Sequence, residues 1–318
     1  MNIQPLKISY EKHKSARVAS SLYLAKIFSI AVLCSAIATQ SYAANKESDN
    51  TPSANKIKPT AIVNIAVAAN FKSTLQLLVD HFLSDYRNNN KPNMRIISGS
   101  TGALYAQITQ GAPFDIFFAA DTKRPKQLQK DKLIKNEKLS IYAKGQIALV
   151  VNKKNFSNAS VKDTCPLLFK GQDIVKQISA HKDQPQVLTL AIANPRTAPY
   201  GNAAIQLFES MPEAFADYRI VRGKNILHAQ QLLLNGNADI AALSSAQASH
   251  PSMVNFLFCP IDQQLYSSIE QSMAIIEQNQ RKTVADDIVL AFYQYIKSAD
   301  AQSIIANQGY INNGIAIQ

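Results

Sequence analysis

Short apolar runs alternate with helix-like segments along most of this 318-residue chain, and that alternation constrains the fold more than any other feature. The runs are rich in Val, Ile, Leu and Phe, which is typical of buried β-strands. They cover residues 63–68, 95–97, 115–120, 146–151, 188–193 and 239–243. Apolar residues with helical spacing follow the first run, at Phe71, Leu75, Leu78, Val79 and Phe82. Because repeated strand–helix units form mainly parallel sheets flanked by helices, the sequence predicts an α/β fold.

The first 43 residues have the pattern of a secretory signal peptide. Five basic residues precede an apolar run at 27–38, and the small residues Ser41 and Ala43 follow where a signal peptidase would cut. An uncleaved membrane anchor is the alternative interpretation. Residues 44–60 are polar, with two prolines and no apolar periodicity, which predicts a disordered linker. We therefore expect a periplasmic protein that is exported by a cleaved signal peptide.

The charge of the chain is basic but dispersed. The formal net charge is +11, of which residues 1–43 carry +4 and the remainder of the chain +7. The basic residues do not cluster with aromatic residues, so we predict no nucleic-acid binding. A moderate positive charge can still attract an anion over a distance.

Two cysteines, Cys165 and Cys259, lie beyond the predicted signal peptide. Because exported proteins are exposed to an oxidising compartment, we predict that they form a disulfide. Two buried free thiols are the alternative.

Neutral hydrogen-bond donors recur where predicted strands lead into helices. Ser98, Ser100 and Thr101 stand at one such helix start, and no Lys or Arg occurs between Ser98 and Phe118. Asn70, expected as a helix N-cap, and the pairs 200–201 and 225–226 occupy similar junctions. Because ligands in open α/β sheets bind beyond the carboxyl ends of strands, we expect these donors to surround one anion. Ordinary helix capping is the alternative interpretation.

Familiar catalytic and metal-binding signatures do not occur in the sequence. It contains no H-E-x-x-H, no G-x-S-x-G and no phosphate-binding G-x-x-x-x-G-K-[ST]. The histidines are scattered and unaccompanied by a cysteine cluster. We therefore predict neither an enzyme nor a metal site, with a secreted hydrolase of anionic substrates as the less favoured alternative.

Four segments carry a resemblance to the periplasmic molybdate-binding proteins of ABC transporters. They are A-V-A-A-N-F at 66–71, G-S-T-G-A-L-Y-A-Q-I-T-Q-G-A-P-F-D-I-F-F-A-A-D at 99–121, A-N-P-R-T-A-P-Y-G at 193–201 and N-I-L-H-A-Q-Q-L-L-L-N-G-N-A-D at 225–239. The resemblance implies a two-lobed type II periplasmic binding fold. Lobe 1 would comprise residues 61–142 and 262–318, and lobe 2 residues 143–261.

The resemblance also implies a ligand set and partners. Asn70 (where many relatives have Ser), Ser100 and Thr101 would bind the oxyanion from lobe 1. Tyr200, the backbone amide of Ile226 and Ser244 (where some relatives have Tyr) would bind it from lobe 2, Ser244 having the shorter reach.

The expected function is capture of molybdate, and also tungstate, for delivery to an ABC permease by a monomer without a cofactor. A protein that binds sulfate, another oxyanion or an organic anion is the alternative within the class.

Overall fold

The computed structural model describes residues 61–84, 86, 91–156, 160–170, 172–179, 187–277 and 284–311. The predicted signal peptide and linker, residues 1–60, lie outside the described residues. None of the helices in the described ranges is long and apolar enough to span a membrane.

The described residues form ten strands and ten helices, several of them joined by short 3-10 turns. The strands are β1 (Ile62–Ala68), β2 (Asn93–Gly99), β3 (Ile116–Ala119), β4 (Ile134–Gly145), β5 (Ile147–Asn152), β6 (Thr189–Ala193), β7 (Arg219–Gly223), β8 (Ile240–Ser244), β9 (Phe256–Pro260) and β10 (Ile269–Ile276). The helices are α1 (Lys72–Ser84), α2 (Thr101–Thr109), α3 (Lys123–Lys130), α4 (Val161–Thr164), α5 (Gln172–Ser179), α6 (Pro199–Ser210), α7 (Pro212–Phe215), α8 (Ile226–Leu234), α9 (Val284–Ile296) and α10 (Ala299–Asn307).

The strands form two sheets of five, with the orders β2-β1-β3-β10-β4 and β7-β6-β8-β5-β9. In each sheet four strands run in one direction and one is reversed, β10 in the first and β5 in the second. The predicted α/β class with mainly parallel sheets is therefore confirmed.

Two crossings of the chain separate the sheets. The chain leaves the first sheet after Gly145, enters the second at Ile147, and returns between Pro260 and Ile269. We use "first lobe" for β1–β4, β10 and their helices, and "second lobe" for β5–β9 and theirs.

Helices cover both faces of the first sheet. Val63, Ile65 and Val67 of β1 pack on one face with residues of α1, α9 and α10. Ala66, between them, packs on the opposite face with Leu104 of α2. A strand buried on both faces reads as a continuous apolar run, which is why this strand is evident in the sequence. Each large side chain fully buried in this way stabilises the fold by about 1.5–3 kcal/mol.

The sequence did not predict four of the strands, namely β4, β7, β9 and β10. The first three are edge strands, and β4 carries exposed or half-exposed charges such as Glu137, Lys138 and Lys144. Charged edge strands discourage pairing with other chains and break the apolar pattern of a strand. Strand β10 lies inside the first sheet, but its polar Gln271 and Ser272 are fully buried and interrupt its apolar run.

Cys165 and Cys259 form the predicted disulfide, with their Cα atoms 5.3 Å apart. The bond ties the segment after α4 to β9 within the second lobe. Because the bridge joins residues separated by 94 positions, it restricts the unfolded chain strongly.

Replacing both cysteines with serine is therefore expected to lower the free energy of unfolding by about 4–5 kcal/mol, the chain-entropy value for a loop of this length. Urea denaturation of the exported, oxidised protein and of the Cys165→Ser/Cys259→Ser variant measures the difference. Wild-type protein treated with a reductant is the matched control and should behave like the variant. A difference below about 1 kcal/mol would show that the bridge adds little to stability.

Candidate functional site

A small cavity lies between the two lobes, where strands of both sheets end. Its lining residues come from five separate segments: Ala68, Ala69, Asn70, Ser100, Thr101, Ala120, Ala198, Pro199, Tyr200, Asn225 and Ile226. None of these described lining residues has a charged side chain. An apolar and neutral polar lining of this kind can hold a charged ligand only through hydrogen-bond donors.

Three helices begin at the cavity. Helix α2 follows Ser100, α6 begins at Pro199, and α8 follows Asn225. The Asn225 side-chain oxygen caps α8 by accepting a hydrogen bond from the His228 amide at 3.0 Å. The first amides of a helix have no partner within it, and the helix dipole adds partial positive charge there. Three such ends around one cavity make an anion the ligand that it suits best.

Ser100 and Thr101 contribute hydroxyl groups at the start of α2. The Ser100 Oγ accepts a hydrogen bond from the Ala103 amide at 3.3 Å, and the Thr101 Oγ1 accepts one from the Ala120 amide at 3.1 Å. Both residues are buried. Since these bonds use lone pairs, each hydroxyl retains its own proton for donation.

Tyr200 contributes a phenol from the second lobe. Its oxygen accepts hydrogen bonds from the Ser244 Oγ at 3.1 Å and from the Gln271 Nε2 at 3.4 Å. Burial raises the pKa of Tyr200 well above its ordinary value of 10.0, so the phenol is a neutral donor at physiological pH. A Cβ atom at Gly145 would overlap the Tyr200 hydroxyl, so only glycine leaves room for this ring position.

Asn70 lies in the cavity wall, but its side-chain amide is already engaged. Its Nδ2 donates to the Gln271 Oε1 at 2.7 Å and to the Tyr310 hydroxyl at 3.3 Å. These two bonds use both amide protons, which leaves the side chain only an acceptor oxygen. The expected N-cap role of Asn70 is wrong, because Asn70 lies inside a 3-10 helix, Ala69–Phe71, that precedes α1.

Ser244 and Ile226 complete the residues singled out in the sequence. Ile226 is the first residue of α8 and lines the cavity. Ser244 is fully buried at the end of β8 and is not among the lining residues. Its Oγ donates to the hydroxyl of Tyr200, which does line the cavity. Five of the six expected residues therefore meet at one cavity, and Ser244 stands behind it.

The two lobes also touch beside the cavity. The Gly102 amide of α2 donates to the Thr197 carbonyl at 2.8 Å, and the Arg124 Nη2 donates to the Arg196 carbonyl at 3.1 Å. Both bonds join the first lobe to the second. The two lobes are therefore in direct contact beside the cavity.

Sequence reasoning missed Gln271, Tyr142 and Tyr310, whose side chains lie behind the cavity. The Tyr142 hydroxyl lies 3.2 Å from the Gln271 Oε1, and the Tyr310 hydroxyl donates to the Asn70 carbonyl at 2.8 Å. The only local signal was a glutamine two positions before the apolar run at 273–276. Burial of that glutamine follows from the sheet order, which the sequence did not reveal.

Metal-ligating side chains do not cluster in the part of the chain that the structure describes. Within the described ranges, no group of three or more His, Cys, Asp or Glu residues is placed to hold a metal ion. The arrangement of the cavity suits the binding of an anion by hydrogen bonds.

Comparisons with known proteins identify the family of the chain. Residues 63–311 match the family model described as bacterial extracellular solute-binding protein. The molybdate-binding protein ModA of Azotobacter vinelandii is 29% identical over 254 residues, 79% of this chain and 90% of that protein. The ModA of Rhodobacter capsulatus is 30% identical over 215 residues, 67% of this chain and 75% of that protein.

A solved structure shows the same architecture. The periplasmic molybdate-binding protein of Azotobacter vinelandii superposes with a TM-score of 0.61 at 26% identity, covering 78% of this chain and 98% of that chain. The two-lobed type II periplasmic binding fold is thereby confirmed. The chain belongs to the family of bacterial extracellular solute-binding proteins, alongside the molybdate-binding proteins of Azotobacter vinelandii and Rhodobacter capsulatus.

Proposed function

We propose that this protein binds molybdate, and also tungstate, in the cavity between its lobes and delivers the anion to an ABC permease. The observation that carries the proposal is the uncharged cavity on which three helix starts and several hydroxyl groups converge. The molybdate-binding relatives support the choice of anion.

In the proposed complex the anion is held by neutral donors alone. The hydroxyls of Ser100, Thr101 and Tyr200 and the backbone amide of Ile226 would donate to its oxygens. Each hydrogen bond to a charged group contributes about 1.5–3 kcal/mol, so several together offset the loss of hydration. Asn70 and Ser244 would act on the anion through the groups they hold in place.

The same donors would discriminate by protonation state. The cavity lining carries no carboxylate that could accept the proton of hydrogen phosphate. A buried hydroxyl without an acceptor costs about 1–3 kcal/mol, so a fully ionised tetrahedral dianion is preferred. Sulfate also meets this condition, and cavity size would separate it from molybdate.

Export and partnership follow from the same proposal. The chain would act in the periplasm after removal of residues 1–43, as a monomer without a cofactor. Closure of the lobes would present the loaded form to the permease, a motion known in periplasmic binding proteins. No chemical step on the ligand is required, so we propose a binding protein rather than an enzyme.

A panel of oxyanions tests the ligand. Molybdate and tungstate at 100 times their dissociation constants should stabilise the protein by about 2.7 kcal/mol, because they bind only the folded state. Phosphate at the same concentration should leave the melting temperature unchanged. Differential scanning fluorimetry on residues 44–318 with molybdate, tungstate, sulfate and phosphate measures this. Equal stabilisation by phosphate and molybdate would contradict binding by neutral donors, and stabilisation by sulfate alone would reassign the ligand.

A threonine pair tests the donors of the first lobe. Thr101→Val removes one hydroxyl donor at nearly constant shape and should weaken molybdate binding about ten-fold or more. Thr189→Val is the matched control, since Thr189 is also buried but accepts its hydrogen bonds from Arg219, and the residue is absent from the cavity lining. Isothermal titration calorimetry compares the two. Equal affinities of both variants and the wild type would show that Thr101 is not a ligand.

The pH dependence tests the neutrality of the site. Tyr200 is the one titratable residue among the described lining residues, and burial raises its pKa. Molybdate affinity should therefore stay constant from about pH 7 to about pH 9, because the phenol remains protonated throughout this range. Tyr200→Phe should bind more weakly than the wild type at every pH in this range, because it lacks the hydroxyl donor. A decline between about pH 6 and pH 8 would instead indicate a histidine in the site.

A further inference from the structure

A buried hydrogen-bond network connects the two lobes behind the cavity. We call it the interlobe network, and its members are Asn70, Tyr142, Tyr200, Ser244, Gln271 and Tyr310. All six side chains are buried. Gln271 belongs to β10 of the first lobe, whereas Tyr200 and Ser244 belong to the second lobe. Gln271 therefore links the first lobe directly to a residue that lines the cavity.

The directions of the bonds that join Tyr310, Asn70 and Gln271 are fixed from one end. The Tyr310 hydroxyl donates its only proton to the Asn70 carbonyl at 2.8 Å. Its oxygen can then only accept, and it does so from the Asn70 Nδ2 at 3.3 Å. The second proton of that amide goes to the Gln271 Oε1 at 2.7 Å.

This fixes the orientation of the Gln271 amide. Its Oε1 accepts from Asn70 and lies 3.2 Å from the Tyr142 hydroxyl, which has one proton for this oxygen and for the Ala119 carbonyl at 3.3 Å. A flipped amide would set two N–H groups against the Asn70 N–H groups, so the oxygen must face Asn70. The Nε2 then faces Tyr200 and donates to its hydroxyl at 3.4 Å.

Tyr200 consequently receives two hydrogen bonds, one from Gln271 and one from the Ser244 Oγ at 3.1 Å. Both hydrogen bonds lower the pKa of Tyr200, because donors to a phenol oxygen stabilise its ionised form. Burial raises the pKa and is the larger effect. A phenol that accepts twice has one proton left to donate. Since Tyr200 lines the cavity, that proton is available to a ligand there.

We propose that Gln271 is a positioning residue for the ligand, because its amide forces the Tyr200 hydroxyl to act as a donor toward the bound anion. This inference rests on the proposed function and adds a residue that does not itself touch the anion. It also couples affinity to lobe closure, because the Gln271–Tyr200 bond joins the two lobes.

A double-mutant cycle tests the proposal. Gln271→Met keeps the length of the side chain but removes its donor and acceptor, and it should weaken molybdate binding about ten-fold. In the Tyr200→Phe background the same change should alter the affinity less than about two-fold, because the hydroxyl on which Gln271 acts is gone. Isothermal titration calorimetry gives the four affinities.

Gln302→Met is the matched control, since Gln302 is also a buried glutamine of the first lobe but donates to the carbonyls of Tyr142 and Ile296. It should leave the affinity within about two-fold of the wild type. If Gln271→Met fails to fold, Ser244→Ala removes the other donor to Tyr200 and enters the same cycle with the same expectation.

Gln271→Glu adds a pH dependence of the affinity, which a mere loss of packing would not produce. A carboxylate at position 271 would accept the Tyr200 proton and turn it away from the cavity, whereas a protonated carboxyl can donate as the amide does. The other titratable members of the network are tyrosines, which stay protonated near neutral pH. Affinity of this variant should therefore increase as pH falls from about 8 to about 6, while the wild type stays flat.

The outcomes separate this inference from the proposed function. If the wild type binds molybdate but the effects in the cycle are additive, or if Gln271→Met keeps its affinity, the role of Gln271 is overturned and the proposed function stands. No binding of molybdate, tungstate or sulfate by the wild type would overturn the proposed function and this inference with it.

Discussion

The cost of removing a doubly charged anion from water is the constraint on which the rest of this structure depends. No charged side chain lines the described cavity, so the compensation has to come from dipoles and hydroxyl protons. Helix starts supply such dipoles, but only where strands end and helices begin. The two sheets bring three of these junctions to one point, and that convergence turns an ordinary α/β architecture into a binding site.

The donors are useful only if their protons face the ligand. A hydroxyl can point its proton in several directions. If the protein does not fix that direction, part of the binding free energy is lost in orienting the hydroxyl toward the anion. Ser100, Thr101 and Tyr200 each accept a hydrogen bond from the protein, which leaves their protons to be donated. The polar residues buried behind the cavity thus preorganise donors that reach it.

The sequence predicted the fold and most of the cavity because both depend on local patterns. Buried strands such as β1 appear as apolar runs, and helix starts carry Ser, Thr, Asn or Pro. Strand β10 was missed because Gln271 breaks its pattern, and the engagement of Asn70 was missed because its partners lie 201 and 240 positions away. Contacts of that separation depend on the order of strands in the sheet, which local periodicity does not encode.

A crystal structure of the mature chain with tungstate, located by anomalous scattering, tests the account most directly. The anion should lie between the lobes, with its oxygens within about 3.2 Å of the Ser100, Thr101 and Tyr200 hydroxyls and the Ile226 amide. No Lys or Arg side chain should contact the anion. Tungstate bound instead by the guanidinium of Arg124 or Arg196, in the wider cleft beside the cavity, would contradict the account.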